Sequence, residues 1–453
     1  MKVIADLQIH SKYARAVSPQ MVAPFIWQWA KNKGIGLVAT GDWTHPLWLA
    51  EIKNDLEETG TGLLKLKTQN SSFDDDGPLF LLETEVSCIY SQGGKLRRIH
   101  TMIWSPSIDT CEKINKKLVS LGANLRSDGR PIIGLTSRQI CEVVFSIDPK
   151  CLIVPAHIWT PWFSLYGSES GFDSIDEAYG VYSKFIYGVE TGLSSNPAMN
   201  WRIKELDSRS ILSFSDAHSG PKLGREATVF ELESLSFENI RKALMEPAST
   251  KTSAGEAKNK IAYSLEFYPE EGKYHYTGHR NCNVKQTPEE TNSRGTICPV
   301  CGRKLTVGVM HRVDQLAERS EEDLKLNTKN FDNISAKMHY SQAYPARPPF
   351  AMLVPLQEIL AEVFGGLPTS KTIQNEYKKL VDRFNSEFEI LLSSDVTEIK
   401  KISGDATADA VSRIREGNIF VDPGYDGVFG KVKIWPEEKR ADKEKKKEQM
   451  SLL

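Results

Sequence analysis

The sequence predicts an α/β fold: a barrel of alternating strands and helices, followed by a small zinc-binding module and a helical C-terminal domain. Three observations support this prediction. Short apolar runs alternate with amphipathic stretches over the first half of the chain, as the strands and helices of a barrel do. A pair of His/Cys clusters with metal-ligand spacing comes next. Apolar residues at helical spacing then continue from about Pro348.

These observations divide the chain into four parts. We expect the barrel over residues 1–246, the zinc module over 261–320, the helical domain with a short hairpin over 340–435, and a flexible tail over 436–453. A chain of 453 residues is long enough for two or three domains with their own cores. Two polar segments predict loops or linkers: TQNSSFDDDG (68–77) and PASTKTSAGEAKNK (247–260).

The composition is that of an ordinary soluble protein. Charged residues make up 26% of the chain and the net charge is −2, which excludes a protein that is basic throughout. Any nucleic-acid contact must therefore be a local patch. We find no signal peptide and no apolar run of the ~20 residues that a membrane span needs, so we expect no membrane partner. Seven cysteines, four scattered and three clustered, favour a reducing compartment, and we expect a cytoplasmic protein.

The predicted strands of the barrel end in residues of the types that bind metals. In IADLQIH, the side chains of Asp6, Gln8 and His10 share one face because residues two apart on a strand point the same way. Similar runs carry further polar residues: Asp42 and His45, Glu83 and Glu85, His100, His157, Glu190, and Asp216 and His218. The C-terminal strand ends of such a barrel face the active site. Five histidines together with carboxylates at these positions predict a polynuclear metal site.

The order of these motifs resembles that of the polymerase-and-histidinol-phosphatase (PHP) domain. The motifs that carry the resemblance are D-x-Q-x-H-S, T-G-D, T-E-V-S, R-I-H, P-A-H and S-D-A-H-S. The resemblance implies a distorted TIM-like barrel that binds two or three divalent metals, such as zinc, manganese or magnesium, for phosphoester hydrolysis. It assigns as ligands Gln8, His10, Glu85, His100, His157, Asp216 and His218, with Glu85 as the bridging glutamate.

The sequence departs from the PHP pattern at two places. Gln8 replaces the first histidine of the usual H-x-H motif, and an amide oxygen suits harder cations better than zinc. The usual Asp-His dipeptide is Asp42-Trp43 here, and His45 lies nearby as a substitute ligand. Both departures concern the same part of the site, so one of the three metal positions of the PHP pattern is altered.

The chemistry expected of such a site is hydrolysis by an activated water. Two bridged cations would lower the pKa of a shared water and neutralise the charge that builds up on phosphate oxygens. We expect the catalytic set to be Asp216, Glu85 and His10, with Asp216 as the ligand that also orients the nucleophile. Lys222 and Arg225, in SGPKLGRE, either hold a substrate phosphate or are solvated loop charges.

The second cluster has the spacing of a structural zinc site. His279 and Cys282 are separated from Cys298 and Cys301 by fifteen residues. Paired knuckles at this spacing make a closed tetrahedral His/Cys3 site, with His275 as a competing fourth ligand. Such a site has no open position, so we expect this zinc to tie down a segment that is too short to bury its own core.

The surroundings of the zinc site are basic. Residues 272–319 contain eight Lys and Arg against four Asp and Glu, which is a local net charge of +4. This module either binds the backbone of a DNA duplex or only holds neighbouring domains together.

The barrel, the zinc module and the helical part, in this order, resemble the endonuclease Q family. The resemblance covers nearly the whole chain, and CGRKLTVGVMHRVDQLA is its most specific part. It implies a DNA endonuclease that cleaves on the 5′ side of deaminated bases (uracil, hypoxanthine, xanthine) and of abasic sites. Damaged DNA is therefore the expected partner.

A loop rich in aromatic residues follows His157. To reach such a lesion an enzyme has to lift the base out of the stack, and aromatic rings then stack on the base or fill the gap. We expect Trp159, Trp162 and Tyr166 to contact the substrate in this way, and Phe163 belongs to the same loop. The alternative interpretation is that these rings are packed core.

The last residues resemble the pentapeptide that binds bacterial sliding clamps. In this interpretation Gln449 hydrogen-bonds at the entrance of a pocket, while Leu452 and Leu453 fill an apolar cleft. The alternative is a C-terminus that binds nothing, since a pentapeptide often matches by chance.

Two other functions stay open from the sequence. One is a PHP phosphatase that acts on a small phosphomonoester, which would leave the zinc module and about a hundred helical residues without a role. The other is a non-catalytic scaffold that binds lesions. Gln8, in place of a histidine ligand, favours this alternative, whereas the presence of Glu85 and Asp216 argues against it.

Overall fold

The computed structural model describes residues 1–67, 77–246, 258–331 and 333–436. The strands are β1 (Lys2–Asp6), β2 (Leu37–Ala39), β3 (Leu56–Glu58), β4 (Leu64–Leu66), β5 (Leu79–Gln92), β6 (Lys95–Ser105), β7 (Ile132–Ile133), β8 (Leu152–Pro155), β9 (Gly188–Glu190), β10 (Ser210–Leu212), β11 (Ala227–Glu231), β12 (Lys260–Glu266), β13 (Thr277–His279), β14 (Val284–Gln286), β15 (Leu326–Phe331), β16 (Ile334–Ser341), β17 (Phe350–Met352), β18 (Phe420–Asp422) and β19 (Lys431–Lys433). The α-helices are α1 (Ala23–Lys33), α2 (Pro46–Asp55), α3 (Ile108–Ser120), α4 (Ser137–Ile147), α5 (Ile175–Tyr179), α6 (Pro197–Trp201), α7 (Phe237–Met245), α8 (Pro288–Arg294), α9 (Val309–Leu316), α10 (Leu356–Phe364), α11 (Lys371–Phe384), α12 (Glu387–Leu392), α13 (Val396–Ser403) and α14 (Asp405–Arg415). The predicted clamp-binding residues Gln449, Leu452 and Leu453 lie outside the described residues, as do most of the two predicted loops and of the tail.

One sheet of thirteen strands forms the centre of the molecule. Its order is β15-β16-β17-β12-β11-β1-β2-β5-β4-β3; β6 and β7 also pair with β5, and β8 pairs with β6. A separate parallel pair is formed by β9 and β10. The central strands are buried on both faces, so β2 contains three successive buried residues. A large sheet covered by helices confirms the predicted α/β class.

The sheet is mixed, whereas the alternation of strands and helices predicts parallel strands. β1, β2 and β5 are parallel neighbours. In contrast, β5 and β6 form a long antiparallel hairpin, and β11 runs antiparallel to β1. Gly93 and Gly94 form the two-residue turn of this hairpin with φ values of 62° and 72°, and such a turn requires residues that tolerate positive φ at both positions. The long hairpin explains why two predicted site residues stand inside strands rather than at strand ends.

The helices begin and end where local sequence signals predict. In α4, for example, the Thr136 side chain accepts a hydrogen bond from the backbone of Gln139, whose own side chain accepts one in return. In α11 the buried residues recur at helical spacing: Ile373, Tyr377, Leu380 and Val381. The five helices α10–α14 confirm the helical C-terminal region. None of the helices in the described part of the chain combines the length and the apolar character that a bilayer crossing needs.

The C-terminal helices pack on the N-terminal half of the chain through α1. Lys33 in α1 and Glu387 in α12 form an ion pair of 2.7 Å, and their side chains are only 1% and 3% exposed. The rings of Trp29 and Tyr377 lie 5.8 Å apart next to this pair. A buried ion pair and an aromatic contact therefore hold α11 and α12 against α1.

The segment with the predicted zinc ligands contains β13, β14, α8 and α9. The predicted C-terminal hairpin is present as β18 and β19, and it lies against this segment. Asp426 in its turn accepts hydrogen bonds from the backbone N–H of Arg280 (2.7 Å) and from Thr306 Oγ1 (2.6 Å). On the other side, Arg202 pairs with Asp314 of α9 at 2.6 Å. The zinc segment is thus fixed both to the end of α6 and to the C-terminal hairpin.

Candidate metal centre

Glu85 lies at the centre of the predicted site. It stands in the middle of β5, is buried, and directs its two carboxylate oxygens toward different histidines. Its Oε1 contacts His100 Nδ1 and lies 3.4 Å from His157 Nε2. Its Oε2 lies 3.2 Å from His10 Nε2. A single carboxylate therefore connects two groups of possible metal ligands.

The first group consists of Glu85, His100 and His157. One ligand atom of each lies within 4.8 Å of the others, and His100 Nδ1 is 3.2 Å from His157 Nε2. His100 comes from β6, while His157 follows the end of β8. Glu190, at the end of β9, accepts a hydrogen bond of 2.6 Å from the backbone N–H of His157. Glu190 thus fixes the loop that carries His157.

The second group consists of His10, Asp216 and His218, again with ligand atoms within 4.8 Å. His10 Nε2 lies 3.2 Å from Asp216 Oδ1, and the rings of His10 and His218 are 4.8 Å apart. The side chains of Asp216 and His218 are 26% and 33% exposed, whereas that of His10 is 1% exposed. The site therefore opens to solvent on the side of Asp216 and His218.

The sequence predicts Asp42 and His45 as metal ligands, but neither belongs to the two ligand groups. Asp42 Oδ1 accepts a hydrogen bond of 2.9 Å from His10 Nδ1, and Oδ2 accepts bonds from the backbone and hydroxyl of Ser11 at 2.6 and 2.7 Å. With both oxygens engaged, Asp42 orients the His10 ring, as carboxylates behind metal-binding histidines do. His45 stacks on Tyr13 with ring centroids 4.4 Å apart and belongs to neither ligand group.

Several buried oxygens of the site form no hydrogen bond of normal geometry. Within the residues that the structure describes, these are Gln8 Oε1, Glu85 Oε1 and Asp216 Oδ1, and the two carboxylate oxygens face only histidine nitrogens. Gln8 itself donates from Nε2 to Glu85 Oε2 at 3.1 Å. A buried acceptor without a donor is costly unless a cation or a water satisfies it. Three such oxygens next to histidine nitrogens fit divalent cations.

The charges of the site suit metal binding. Burial raises the pKa of Glu85, but His100 and Arg130 outweigh it and hold this pKa well below its usual range. Burial likewise opposes ionisation of Asp216, and His10 outweighs it and lowers the pKa of this carboxyl. Burial lowers the pKa of His100 to about 4, so this ring is neutral at neutral pH. Around His10, burial is outweighed by the surrounding carboxylates, which raise its pKa, so a cation bound there has to displace a proton.

Backbone strain is concentrated in the same loops. Asp42, His157 and Asp216 have φ values of 47°, 30° and 46°, in the left-handed region that residues other than glycine seldom adopt. Each of them lies in the segment that follows a strand: β2, β8 or β10. Such conformations cost on the order of 1–3 kcal/mol each and are typical of functional sites.

Arg130 is a site residue that the sequence does not indicate. It follows Gly129, where a Cβ would lie 2.5 Å from Asp42 Oδ2, in the loop after β2, and 2.8 Å from the backbone N of Ala14, in the loop after β1. Arg130 Nη1 reaches within 3.4 Å of both Glu85 Oε2 and His10 Nε2. The only local signal is a Gly-Arg pair ahead of the short strand β7, and this pair occurs in many loops.

The two predicted phosphate contacts are both engaged inside the protein. Lys222 pairs with Glu358 of α10 at 2.6 Å. Arg225 Nε donates to the backbone carbonyl of Ser215 at 2.9 Å, and its Nη2 lies 3.4 Å from the carbonyl of Asp216. Arg225 thus fixes the strained segment that carries Asp216, and Lys222 connects this segment to the C-terminal helices.

The aromatic loop is partly core. Trp159 and Tyr166 are completely buried, which contradicts the prediction that their rings stack on a base. Trp162 and Phe163 are half-buried. Phe163 has a φ of 64° and its ring lies 4.9 Å from that of His100. Of the aromatic residues in this loop, Phe163 therefore lies against the site, whereas the ring of Trp162 packs against Tyr274 with centroids 5.6 Å apart.

The four predicted structural zinc ligands come together. His279, Cys282, Cys298 and Cys301 have ligand atoms within 4.8 Å of one another, and His279 Nδ1 lies 3.4 Å from Cys301 Sγ. Burial opposes ionisation of Cys298, but neighbouring backbone N–H groups outweigh it and lower the pKa of this thiol to about 6. A thiolate is the form that binds metal. His275, the competing fourth ligand, is buried and does not belong to this group.

Two solved structures are similar to this chain over nearly its whole length. One is the crystal structure of the lesion-specific endonuclease PfuEndoQ from Pyrococcus furiosus, with 32% identity and a TM-score of 0.77; the match covers 96% of this chain and 95% of that chain. The other is a complex of endonuclease Q with a 27-mer duplex substrate that has an abasic lesion at the active site. It matches with 32% identity and a TM-score of 0.77, over 96% of this chain and 98% of that chain.

Two relatives in sequence are proteins without an assigned activity. The uncharacterized protein YqxK of Bacillus subtilis is 26% identical over 446 residues, which are 95% of this chain and 99% of that protein. The uncharacterized protein MJ0043 of Methanocaldococcus jannaschii is 31% identical over 286 residues, or 62% of this chain, and the match spans only 32% of that longer protein. The family model of the MJ0043 C-terminal domain matches residues 355–418, which correspond to helices α10–α14.

Proposed function

Because this chain belongs to the endonuclease Q family, we propose that it is a metal-dependent DNA repair endonuclease that nicks the backbone on the 5′ side of a lesion. The similarity over 96% of the chain makes it a nuclease, and hence a hydrolase of phosphodiesters in DNA. The proposed lesions are deaminated bases (uracil, hypoxanthine and xanthine) and abasic sites. An abasic site is the lesion in the duplex bound by the similar endonuclease Q.

The observation that carries this proposal is the position of Glu85 between two ligand groups. We propose that Glu85, His100 and His157 hold one divalent cation, and that Glu85, His10, Asp216 and His218 hold a second. The short distances from Glu85 to His10 and His157, and the buried oxygens that form no hydrogen bond of normal geometry, support this assignment. When bound, two such cations would supply charge stabilisation for the phosphate and a more acidic water.

The other residues of the site position these ligands. Asp42 holds the His10 ring through its hydrogen bond to Nδ1. Gln8 donates from Nε2 to Glu85 Oε2, and we propose that its unpartnered Oε1 is a further ligand, as the sequence predicts. Arg225 binds the carbonyl of Ser215, next to Asp216, and so holds the strained loop in place. We expect the cleaved phosphate to lie on the open side of the site, next to Asp216.

We further propose that residues 1–246 form a PHP barrel, that 261–320 form a zinc module and that 340–435 form a helical domain. The module would hold one structural zinc through His279, Cys282, Cys298 and Cys301, and its basic surface would contact the DNA backbone. We propose that the half-buried rings of Trp162 and Phe163 support the duplex once a lesion is lifted out of it; the contact of Phe163 with His100 supports this for Phe163. A clamp contact through the C-terminal pentapeptide and a cytoplasmic location stay predictions.

The test is a nicking assay with defined duplexes. Metal-loaded protein is incubated with end-labelled duplexes that contain one deoxyuridine, deoxyinosine, deoxyxanthosine or abasic site, and with the undamaged duplex as the control. We expect one nick on the 5′ side of the lesion, in the damaged strand only, and none in the presence of EDTA.

Two outcomes would contradict the proposal. Hydrolysis of p-nitrophenyl phosphate without nicking would indicate a phosphatase. Binding of the lesion duplex without either reaction, under every divalent metal tested, would indicate a non-catalytic scaffold.

A further inference from the structure

Arg130 stands beside the proposed metal ligands without a tight ion pair of its own. We infer that Arg130 is a phosphate-binding residue, whose guanidinium contacts a non-bridging oxygen of the scissile phosphate. This inference rests on the proposed function and adds a residue that no motif of the sequence indicates.

The backbone places Arg130 at the mouth of the site. Gly129 N–H donates to the carbonyl of Tyr13 at 2.9 Å, and Arg130 N–H donates to Asp128 Oδ1 at 3.0 Å. The first bond, together with one of 3.3 Å from Arg15 N–H to Asp128 Oδ1, fixes the loop before β7 to the loop after β1, which carries His10. The side chain of Arg130 is 27% exposed, close to the 26% of Asp216. Arg130 is therefore reachable from the open side of the site, from which a DNA strand would approach.

The contacts of the guanidinium are weak. Its Nη1 lies 3.4 Å from Glu85 Oε2 and 3.4 Å from His10 Nε2. Charge-assisted N–H···O bonds are normally about 2.7–2.9 Å long. Within the described ranges of the chain, Nε and Nη2 of Arg130 donate to nothing. An arginine that mainly served to hold Glu85 in place would have a shorter, two-pronged contact.

The other cations of this region differ from Arg130. Lys222 is neutralised by Glu358, and Arg225 is directed at backbone carbonyls behind Asp216. Arg130 keeps two unused N–H donors in a planar fork, which matches two oxygens of a phosphate. Its guanidinium group carries a positive charge at any physiological pH.

The experiment compares Arg130→Ala and Arg130→Lys with the wild-type protein in single-turnover nicking of a lesion duplex. Arg126→Ala is the matched control, because Arg126 has the same charge, lies in the same loop and is exposed. Loss of a charge-assisted phosphate contact should slow Arg130→Ala by roughly 10- to 100-fold. Arg130→Lys should recover part of this loss, and Arg126→Ala should stay within about two-fold of wild type.

Guanidinium ion separates a phosphate contact from a structural role. Millimolar guanidinium chloride should restore part of the rate of Arg130→Ala, whereas an equal concentration of sodium chloride should not. The metal content and melting temperature of the variant should equal those of the wild type. An Arg130→Ala rate close to wild type, or a slow variant that guanidinium does not rescue, would overturn the inference. If the wild-type protein nicks no lesion duplex, the proposed function itself is wrong, and the inferred role of Arg130 is wrong with it.

Discussion

Asp216 is the residue on which the proposed chemistry depends most. Its carboxylate faces His10 at 3.2 Å on the open side of the site. Asp216→Asn keeps the shape of the side chain but removes the negative charge that a cation between His10 and His218 needs. We expect single-turnover nicking to fall by about 100-fold or more, while fluorescence anisotropy shows nearly unchanged lesion binding.

The control for this variant is Asp176→Asn, which removes an exposed carboxylate from α5. This control should nick at the wild-type rate. Near-normal turnover by Asp216→Asn would contradict the assignment of Asp216 as a ligand.

The buried carboxyl of Glu266 leads to a prediction about the free energy of unfolding, and this prediction does not involve the metal site. Glu266 is buried in β12, and its Oε1 accepts hydrogen bonds from Ser213 Oγ at 2.6 Å and from Ser264 Oγ. Burial raises its pKa from 4.5 to about 7. Between these pH values the native state keeps a proton that the unfolded state has lost, so the free energy of unfolding should fall as pH rises from 4.5 to 7. The size of this effect is at most about 3 kcal/mol.

Glu266→Gln should remove this part of the pH dependence, because an amide does not titrate. Urea denaturation at pH 5 and pH 8 measures it, with Glu142→Gln, an exposed residue of α4, as the control. Equal pH dependence in the Glu266→Gln variant and the wild type would show that Glu266 is ionised in the native protein at both pH values.

The residues that could be predicted from the sequence are the metal-binding side chains that recur within or just after the apolar strands. His10, Glu85, His100, His157, Asp216 and His218 do come together as expected. The role of Asp42 could not be predicted, because whether a carboxylate binds a metal or a histidine depends on distances of about an ångström. Arg130 could not be predicted either, because it reaches the site from a loop whose path is set by contacts with another loop.

Cys298 tests how the zinc cluster supports its surroundings. Cys298→Ser should release one zinc per chain and loosen residues around 275–305, because metal binding and local folding are coupled there. Arg312 of α9 donates to the carbonyls of Tyr166 and Phe172 at 2.9 and 3.1 Å, so the aromatic loop should exchange its amide protons faster as well. Zinc analysis and hydrogen exchange measure both effects.

Cys151→Ala removes a buried thiol outside the cluster and should keep the zinc content unchanged. Wild-type zinc content and wild-type protease resistance in Cys298→Ser would show that the ligand assignment is wrong.

The contact between α1 and α12 depends on the buried pair of Lys33 and Glu387. Glu387→Gln leaves the Lys33 ammonium buried without a counter-charge, and breaking such a pair typically costs about 3–5 kcal/mol. Lys378→Met is the matched control, since it breaks an exposed pair with Asp382 that is worth less than about 0.5 kcal/mol. Urea denaturation compares the two. A loss for Glu387→Gln no greater than that for Lys378→Met would show that this contact does not hold the C-terminal helices in place.

At the level of elements, helices were easier to predict than strand directions. The pattern of α11 is visible in the sequence because its buried residues recur at helical spacing. The direction of β6 depends on the turn at Gly93 and Gly94, which favours an antiparallel hairpin. The alternation of strands and helices around it favours parallel strands instead, so the two sequence signals conflict.

For the whole molecule, the order of the parts along the chain could be predicted, but their contacts could not. Nothing in the sequence pairs Lys33 with Glu387, or Asp426 with Arg280, because these contacts join positions that are more than a hundred residues apart. The bond of Asp426 to Arg280 joins the C-terminal hairpin to the zinc segment, and the bonds of Arg312 to Tyr166 and Phe172 join that segment to the aromatic loop. We interpret this arrangement as a surface that could bind a duplex next to the metal centre.

Anomalous diffraction from crystals loaded with manganese tests most directly whether Glu85 joins two cations. We predict two peaks within bonding distance of this carboxylate: one beside His100 and His157, and one beside His10, Asp216 and His218. The manganese signal should be absent from the cysteine cluster, whose thiolates select zinc. A single peak on one side of Glu85, or none, would contradict the two-metal site.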